Sequence, residues 1–237
     1  MNQNSKSNVV ALISSNTEWK IMRAMFPQAA VEKTPFGEQF EICIANQDVL
    51  LFHGGWGKVS AAATTQYCID QYRPALLVNL ATCGGFAGLA TVGEVVCVEE
   101  CVIYDIVEQM SDPQEAIDFY TTKIELSWLR PEWLPGVDMA RIASADKDLI
   151  IEEIPQLIEK YQVRVGDWES GPIAWVAQRN RQRLLILRGV TDLVGPRGGE
   201  VYDDMPEYEQ RTRQVMGKLM QVFAGFLAEA GTTLFGT

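Results

Sequence analysis

Histidine is almost absent from this sequence, and cysteine is sparse. The 237 residues include one histidine, His53, and an odd number of scattered cysteines. Structural zinc sites need about four closely spaced cysteine or histidine ligands, so we expect neither a metal site nor a cofactor. The polar start MNQNSKSN lacks the apolar core of a signal peptide, which predicts reduced thiols in a cytoplasmic protein. The cysteines are Cys43, Cys68, Cys83, Cys97 and Cys101.

Positive charge is also scarce. Lysine and arginine number 20 against 31 aspartates and glutamates, which gives a formal charge of -11. Such a surface repels phosphate backbones, so we expect no nucleic-acid partner. The longest uncharged segment, 75–93, contains glycines and polar residues and is typical of a buried strand and turn, so we expect no membrane insertion.

Strand and helix patterns alternate along the chain. Apolar runs at Val9–Ile13, Leu76–Leu80 and Leu184–Arg188 predict buried strands, and the alanine-rich Gly57–Tyr72 predicts a helix. Thr17 is our predicted cap of the first helix. This alternation is typical of an α/β layer fold with a substantially parallel sheet.

Short polar residues follow five of the predicted strands. In parallel sheets the ligand crevice forms beyond the carboxyl ends of the strands, so these side chains should meet in one pocket. Their chemistry suits a hydroxyl-rich small molecule that carries a basic atom. The pairs are Ser14 and Ser15, Asn79 and Thr82, Ser144 and Asp146, Trp168 and Glu169, and Thr191 and Asp192.

Several of these segments together resemble the purine nucleoside phosphorylase and nucleosidase superfamily, and within it the 5'-methylthioadenosine/S-adenosylhomocysteine nucleosidases. The resemblance implies one domain over 1–237, with a mixed, largely parallel twisted sheet in a three-layer α/β/α arrangement. It also implies cleavage of an N-glycosidic bond. The matching stretches are HGGWGKVSAAATTQYCID, VNLATCGGFAG, TVGEVVCVEECVIYDI, IASADKDLI, GDWESGPIAWVAQ and LILRGVTD.

The resemblance implies two catalytic carboxyl groups. Asp192 matches the general acid that protonates the leaving purine, and Thr191 would orient it. Glu18 matches the glutamate that activates water on the opposite face of the sugar. Local sequence alone also allows plainer roles, because an aspartate often occupies a turn and a glutamate often occupies the first turn of a helix.

The resemblance further implies substrate contacts. Glu169 would accept hydrogen bonds from the ribose hydroxyls, and Trp168 replaces a methionine that packs on the sugar. Thr82 would contact the nucleophile or a sugar hydroxyl. Asp146 matches an acidic residue of the base-binding motif, although it could instead cap a helix. At Asp148, where these nucleosidases carry an aromatic residue that stacks on the base, the side chain cannot stack. Trp56, Phe86 and Trp175 are the replacement candidates.

The acceptor of the glycosyl group is predicted to be water. Hexameric phosphorylases of this superfamily carry arginines for phosphate where this chain has Asn79 and, near the first strand, Glu18. The alternatives are a futalosine-type nucleosidase, a phosphorylase and a non-catalytic nucleoside-binding module. The aromatic-rich segment 106–137 is expected to help form the pocket for the 5' substituent across a homodimer interface. Arg188, inside its strand, is expected to form a structural ion pair.

Overall fold

The computed structural model describes residues 7–236, so most of the polar N-terminal stretch lies outside it. The strands are β1 Val9–Ile13, β2 Glu32–Thr34, β3 Gly37–Ile44, β4 Gln47–His53, β5 Leu76–Phe86, β6 Val95–Ile103, β7 Thr122–Lys123, β8 Asp138–Ser144, β9 Val165–Asp167, β10 Leu184–Gly195 and β11 Gly198–Gly199. The α-helices are α1 Asn16–Met25, α2 Gly57–Tyr72, α3 Pro113–Tyr120, α4 Ile154–Tyr161, α5 Ser170–Arg179 and α6 Met205–Phe235, with short 3-10 turns at Pro131–Trp133 and Ile151–Glu153.

All these strands belong to one mixed sheet. Its order is β11-β10-β6-β8-β9-β5-β1-β4-β3-β2, with β7 beside β6. Strands β1, β4, β5 and β10 run parallel, as do β6, β8 and β9. Strand β10 pairs with β5 as well as β6, so five strands close into a ring while β1 to β4 extend from it as an open sheet.

Helices cover both faces of the sheet, which confirms the three-layer α/β/α arrangement. Alternate residues of β1 point to opposite faces, as a period of two requires. Val9, Ala11 and Ile13 pack in the core beneath α1 and α6, whereas Val10 and Leu12 pack in the core beneath α2 and α5. Within 7–236 no helix is long and apolar enough to cross a bilayer, and segment 75–93 is mainly strand β5.

Strand β10 is longer than predicted and extends through Asp192 to Gly195. Its second half pairs with the glycine-containing end of β5, across a register shift between Val190 and Asp192. The approach is close, because a Cβ at Gly85 would lie 2.8 Å from a Val190 methyl. Asp192 therefore lies within a bulged, buried strand rather than in a turn after it.

The first helix begins earlier than we predicted, and its cap is Ser15 rather than Thr17. The Ser15 side chain accepts a hydrogen bond from the Glu18 amide, and the Glu18 carboxylate accepts one from the Ser15 amide. This reciprocal arrangement is a capping box, whose Ser-x-x-Glu signature is present in the sequence and could have been recognised. The box fixes the position of Glu18 at the end of β1.

Candidate active site

A cavity of about 630 Å³ opens at the carboxyl ends of β1, β5, β9 and β10. It is where a sheet of this kind is expected to bind ligands. Six of the seven predicted site residues line it, although they come from four separate segments of the chain. These six are Glu18, Thr82, Trp168, Glu169, Thr191 and Asp192.

Asp192 is a buried carboxyl group in the cavity wall, with 5% of its surface exposed. Thr191 Oγ1 donates a hydrogen bond of 2.8 Å to Asp192 Oδ1. Burial raises the pKa of Asp192 above its usual value, while the Thr191 hydrogen bond and the positive charge of Arg211 act in the opposite direction. A buried carboxyl group with a raised pKa is suited to hold a proton and deliver it to a ligand.

Glu18 is more deeply buried and its carboxylate is held from two sides. One oxygen accepts hydrogen bonds from the Thr82 amide and from Thr82 Oγ1, the latter at 2.8 Å. The other accepts from the Ser15 amide at 2.8 Å. Because three donors already fix this carboxylate, it has a defined orientation toward the cavity. The strand end of β5 and the start of α1 are thus joined through one side chain.

Glu169 caps a helix that is distant in sequence. Its Oε1 accepts a hydrogen bond of 3.1 Å from the Gly57 amide, at the first residue of α2. Burial, together with the negative charges of Asp167 and Glu18, raises the pKa of Glu169 to about 8, although Arg188 and the Gly57 amide oppose the shift. A single protein donor leaves most of its acceptor capacity free for a ligand.

An ion pair lies at the cavity floor, with Asp167 in the lining and Arg188 fully buried behind it. Arg188 Nη2 is 2.6 Å from Asp167 Oδ2, and neither side chain is appreciably exposed. Ser144 Oγ and the Ser170 amide also donate to Asp167, and Arg188 donates to Asn79 and to Ser170 Oγ. The predicted structural ion pair of Arg188 is confirmed, and the predicted strand-end residues Asn79 and Ser144 belong to this network. Within residues 7–236, Arg188 Nη1 has no hydrogen-bond partner.

Asp146, the seventh predicted site residue, does not line the cavity. Its Oδ1 accepts a hydrogen bond of 2.7 Å from the Lys58 amide in the first turn of α2. The alternative of a helix cap is therefore the arrangement observed, but the capped helix is α2 rather than the one that follows Asp146. Sequence could not indicate this, because the two residues are 88 positions apart.

Aromatic side chains form part of the cavity wall. Trp56 stacks on Trp168, with ring centroids 5.3 Å apart, whereas neither Phe86 nor Trp175 is in the lining. Tyr202 and Tyr208 also line the cavity and were not predicted. They come from the start of α6 and the turn before it, whose sequence carries no recognisable motif. Burial and the charge of Glu18 raise the pKa of Tyr208 to about 12, so it remains a neutral hydroxyl.

The lining of the cavity is strongly acidic. Lys147 is the single basic residue in the lining within the described chain, and its Nζ already contacts Glu153 at 2.7 Å. An anion as highly charged as phosphate would meet this field without a cationic group to compensate it. The acidic residues of the lining are Glu18, Asp148, Asp167, Glu169, Asp192 and Asp203.

The sequence profile of the phosphorylase superfamily matches residues 13–228. The chain belongs to the phosphorylase superfamily. This confirms the resemblance on which the predicted site was based. One relative, a 5'-methylthioadenosine/S-adenosylhomocysteine nucleosidase from Bacillus cereus, is 25% identical to this chain over 211 residues. The match covers 78% of this chain and 86% of the relative.

Solved structures share the fold of this superfamily chain at lower identity. The Neisseria meningitidis 5'-methylthioadenosine/S-adenosylhomocysteine nucleosidase, in complex with methylthio-immucillin-A, superposes with a TM-score of 0.74 at 19% identity, over 94% of this chain and 99% of that one. A futalosine hydrolase mutant of Helicobacter pylori gives a TM-score of 0.66 at 14% identity, over 90% and 98% respectively. The fold is therefore shared by nucleosidases with different named substrates.

Proposed function

We propose that this protein hydrolyses the N-glycosidic bond of 5'-methylthioadenosine or S-adenosylhomocysteine and releases adenine. The observation that carries the proposal is that Glu18, Glu169 and Asp192 line one cavity although they are far apart in the chain. A module that only binds nucleosides has little use for three buried carboxyl groups, since each costs free energy to desolvate. The named nucleosidase relatives support the choice of substrate.

Asp192 is the proposed general acid. Burial raises its pKa above the usual value, which favours the protonated form, and Thr191 fixes one carboxyl oxygen so that the other can face the base. Transfer of this proton to N7 of the purine makes the leaving base neutral. Positioned proton transfer of this kind typically accelerates a reaction by about 10²–10⁴-fold.

Glu18 and Glu169 are the proposed partners of the sugar. Glu169, once ionised, would accept hydrogen bonds from the ribose hydroxyls, which strengthen as the sugar gains positive charge. Glu18, held by Thr82 and Ser15, would accept a proton from the water that attacks the anomeric carbon. Thr82 therefore acts here mainly through Glu18. Trp168 and Trp56 would form the wall beside the sugar.

Water rather than phosphate is the proposed acceptor. The acidic lining and the engagement of Lys147 with Glu153 disfavour a phosphate dianion, and the positive charge of Arg188 is neutralised by Asp167 at the cavity floor. A phosphorylase needs unpaired cations at the acceptor site. The same electrostatic argument favours a neutral or cationic nucleoside as substrate.

We further propose a cytoplasmic homodimer. Large apolar side chains are exposed at the start of α2 and on the segment before and through α3, and such a surface is typical of a protein interface. All five cysteines are free, as expected in a reducing compartment. The segment 106–137 does not line the cavity, so any part it takes in the site would come from a partner subunit. The exposed side chains are Trp56, Val59, Val107, Met110 and Phe119.

The proposed function is tested by incubating the protein with 5'-methylthioadenosine and measuring free adenine, with and without inorganic phosphate. We expect release that does not require phosphate. Release that depends on phosphate would identify a phosphorylase. If no purine nucleoside releases its base, the protein would be a non-catalytic nucleoside-binding module. Preferential cleavage of futalosine would identify the second candidate, which is favoured by Asp148 in the cavity lining.

A further inference from the structure

Helix α2 is capped by side chains that are remote in sequence. Its own N-cap residue, Trp56, makes no side-chain capping bond within the described chain. Instead, the Gly57 amide donates to Glu169 Oε1 at 3.1 Å and the Lys58 amide donates to Asp146 Oδ1 at 2.7 Å. The first amides of a helix have no partner inside it, so these two carboxylates satisfy donors that would otherwise be orphaned.

Asp146 is itself fixed by a second carboxylate. Asp105, just beyond β6, accepts a hydrogen bond of 2.9 Å from the Asp146 amide. The same carboxylate binds the ammonium group of Lys58 at 2.5 and 2.6 Å. Lys58 therefore contacts Asp146 through its backbone amide and, more weakly, through its ammonium group, which lies 3.9 Å from Asp146 Oδ2; its main side-chain partner is Asp105. These contacts tie the start of α2 to the ends of β6 and β8.

The turn into α2 leaves little freedom around this contact. Gly57 has a φ of +81°, a conformation that favours glycine. A Cβ at Gly57 would lie 3.0 Å from Asp146 Oδ1, so the aspartate packs directly against the turn. The neighbouring amides of Gly57 and Lys58 consequently cannot move independently. Loss of the anchor at Lys58 would displace the Gly57 amide from Glu169.

We propose that Asp146 is a positioning residue that holds the α2 N-terminus, so that the Gly57 amide orients Glu169 toward the ribose hydroxyls. The inference rests on the proposed function and deepens it, because it assigns recognition of the sugar hydroxyls to a chain of contacts outside the cavity. Asp146 does not touch the nucleoside in this scheme. Its effect reaches the substrate through one helix end and one carboxylate.

The test compares Asp146→Ala and Asp146→Asn with the wild type. The ratio of kcat/KM for 5'-methylthioadenosine to that for its 2'-deoxy analogue measures recognition of the 2'-hydroxyl. Loss of a helix cap is equivalent to a factor of about 5–30, so we expect Asp146→Ala to lower this ratio by roughly tenfold, mainly through KM for the ribose substrate. Asp146→Asn should retain the wild-type ratio, because its amide oxygen can still accept the Lys58 bond.

Asp112→Ala provides the matched control. Asp112 also caps a helix, with Oδ1 accepting a hydrogen bond of 2.9 Å from the Gln114 amide, but the capped helix α3 contributes no described residue to the cavity lining. Its removal should leave the substrate ratio unchanged. An unchanged ratio in Asp146→Ala, or an equal loss for both substrates, would overturn the positioning role. A wild type that cleaves neither nucleoside would instead overturn the proposed function and this inference with it.

Hydrogen exchange supplies a readout that does not depend on turnover. The Gly57 and Lys58 amides should exchange at least about tenfold faster in Asp146→Ala than in the wild type, since Lys58 loses its acceptor and the Gly57 amide is then displaced from Glu169. Asp146→Asn should exchange at the wild-type rate. Unchanged protection in the alanine variant would show that Asp146 does not hold the helix end.

Discussion

Two carboxylates that lie two residues apart have opposite environments. Asp167 lies at the cavity floor, where Arg188, Ser144 and the Ser170 amide saturate it from the protein side. Glu169 faces the cavity, where the Gly57 amide is its one hydrogen-bond donor within the described chain. Both are buried, so exposure alone does not distinguish them. The difference lies in how much of each carboxylate the protein itself satisfies.

This difference distinguishes a carboxylate that the protein itself satisfies from one that is available to a ligand. A buried carboxylate with its own cation needs nothing from a ligand, and it stabilises the region around it. A buried carboxylate without one has a raised pKa and open acceptor capacity, and both properties are useful for binding and proton transfer. Glu169 and Asp192 are of the second kind, since burial raises the pKa of each.

The largest effect should follow from Asp192→Asn. The amide cannot donate the proton that the leaving base requires, so we expect adenine release to fall by about 10²–10⁴-fold. Single-turnover measurement of free adenine gives the rate, and thermal unfolding shows whether the fold is retained. Full activity in the variant would remove Asp192 as the acid.

Arg188→Met tests the ion-paired carboxylate, Asp167. Removing one partner leaves Asp167 as an uncompensated buried charge, which we expect to lower the free energy of unfolding by about 3–5 kcal/mol. Urea denaturation measures this loss. In the double variant with Asp167→Asn, much of the stability should return, because no unpaired charge remains. A loss below about 1 kcal/mol in the single variant would contradict the role of the pair.

Glu169→Gln tests the carboxyl group that has no paired cation, through the dependence of stability on pH. The pKa of Glu169 is raised from an ordinary 4.5 to about 8 in the folded protein. The folded state therefore retains a proton that the unfolded chain loses, and stability falls as pH rises from about 4.5 to 8. Glutamine avoids this loss, so the Tm of the variant should match the wild type near pH 4 and exceed it by a few degrees above pH 8.

Glu159→Gln, at an exposed position on α4, is the control for this measurement. It should follow the wild-type Tm at every pH, because its charge is hydrated in both states. If Glu169→Gln also follows the wild type throughout, then Glu169 is ionised in the folded protein near neutral pH, and the contrast with Asp167 disappears.

The smallest effect is expected from Thr191→Val. The Thr191 hydrogen bond lowers the pKa of Asp192, so its loss should raise that pKa and shift the alkaline fall of the kcat/KM profile to higher pH. The rate below that fall should decrease about 3–10-fold, since the carboxyl group loses one orienting bond. Thr191→Ser keeps the hydroxyl and should preserve the wild-type profile. An unshifted profile in the valine variant would argue against this coupling.

Much of the fold could be predicted from hydrophobic periodicity. Helix α2 and strand β1 have the predicted bounds. The carboxyl-end rule predicts that Glu169 and Asp192 share one cavity, and both line it. The missed features depend on contacts between distant segments. Strand β10 extends past Arg188 only because the glycines of β5 permit its close approach.

The sequence by itself determined the α/β layering and the acidic character of the chain, because these depend on local pattern and residue type. The candidate site carboxyl groups were predicted from the resemblance to the superfamily. The tertiary structure decided which carboxylate is neutralised by Arg188, which amides reach Glu169, and that Asp146 caps α2 rather than contacting the cavity. The physical reason is distance along the chain. A hydrogen bond between residues 88 or 112 positions apart has no local pattern, and it exists only once the sheet has brought the strand ends together.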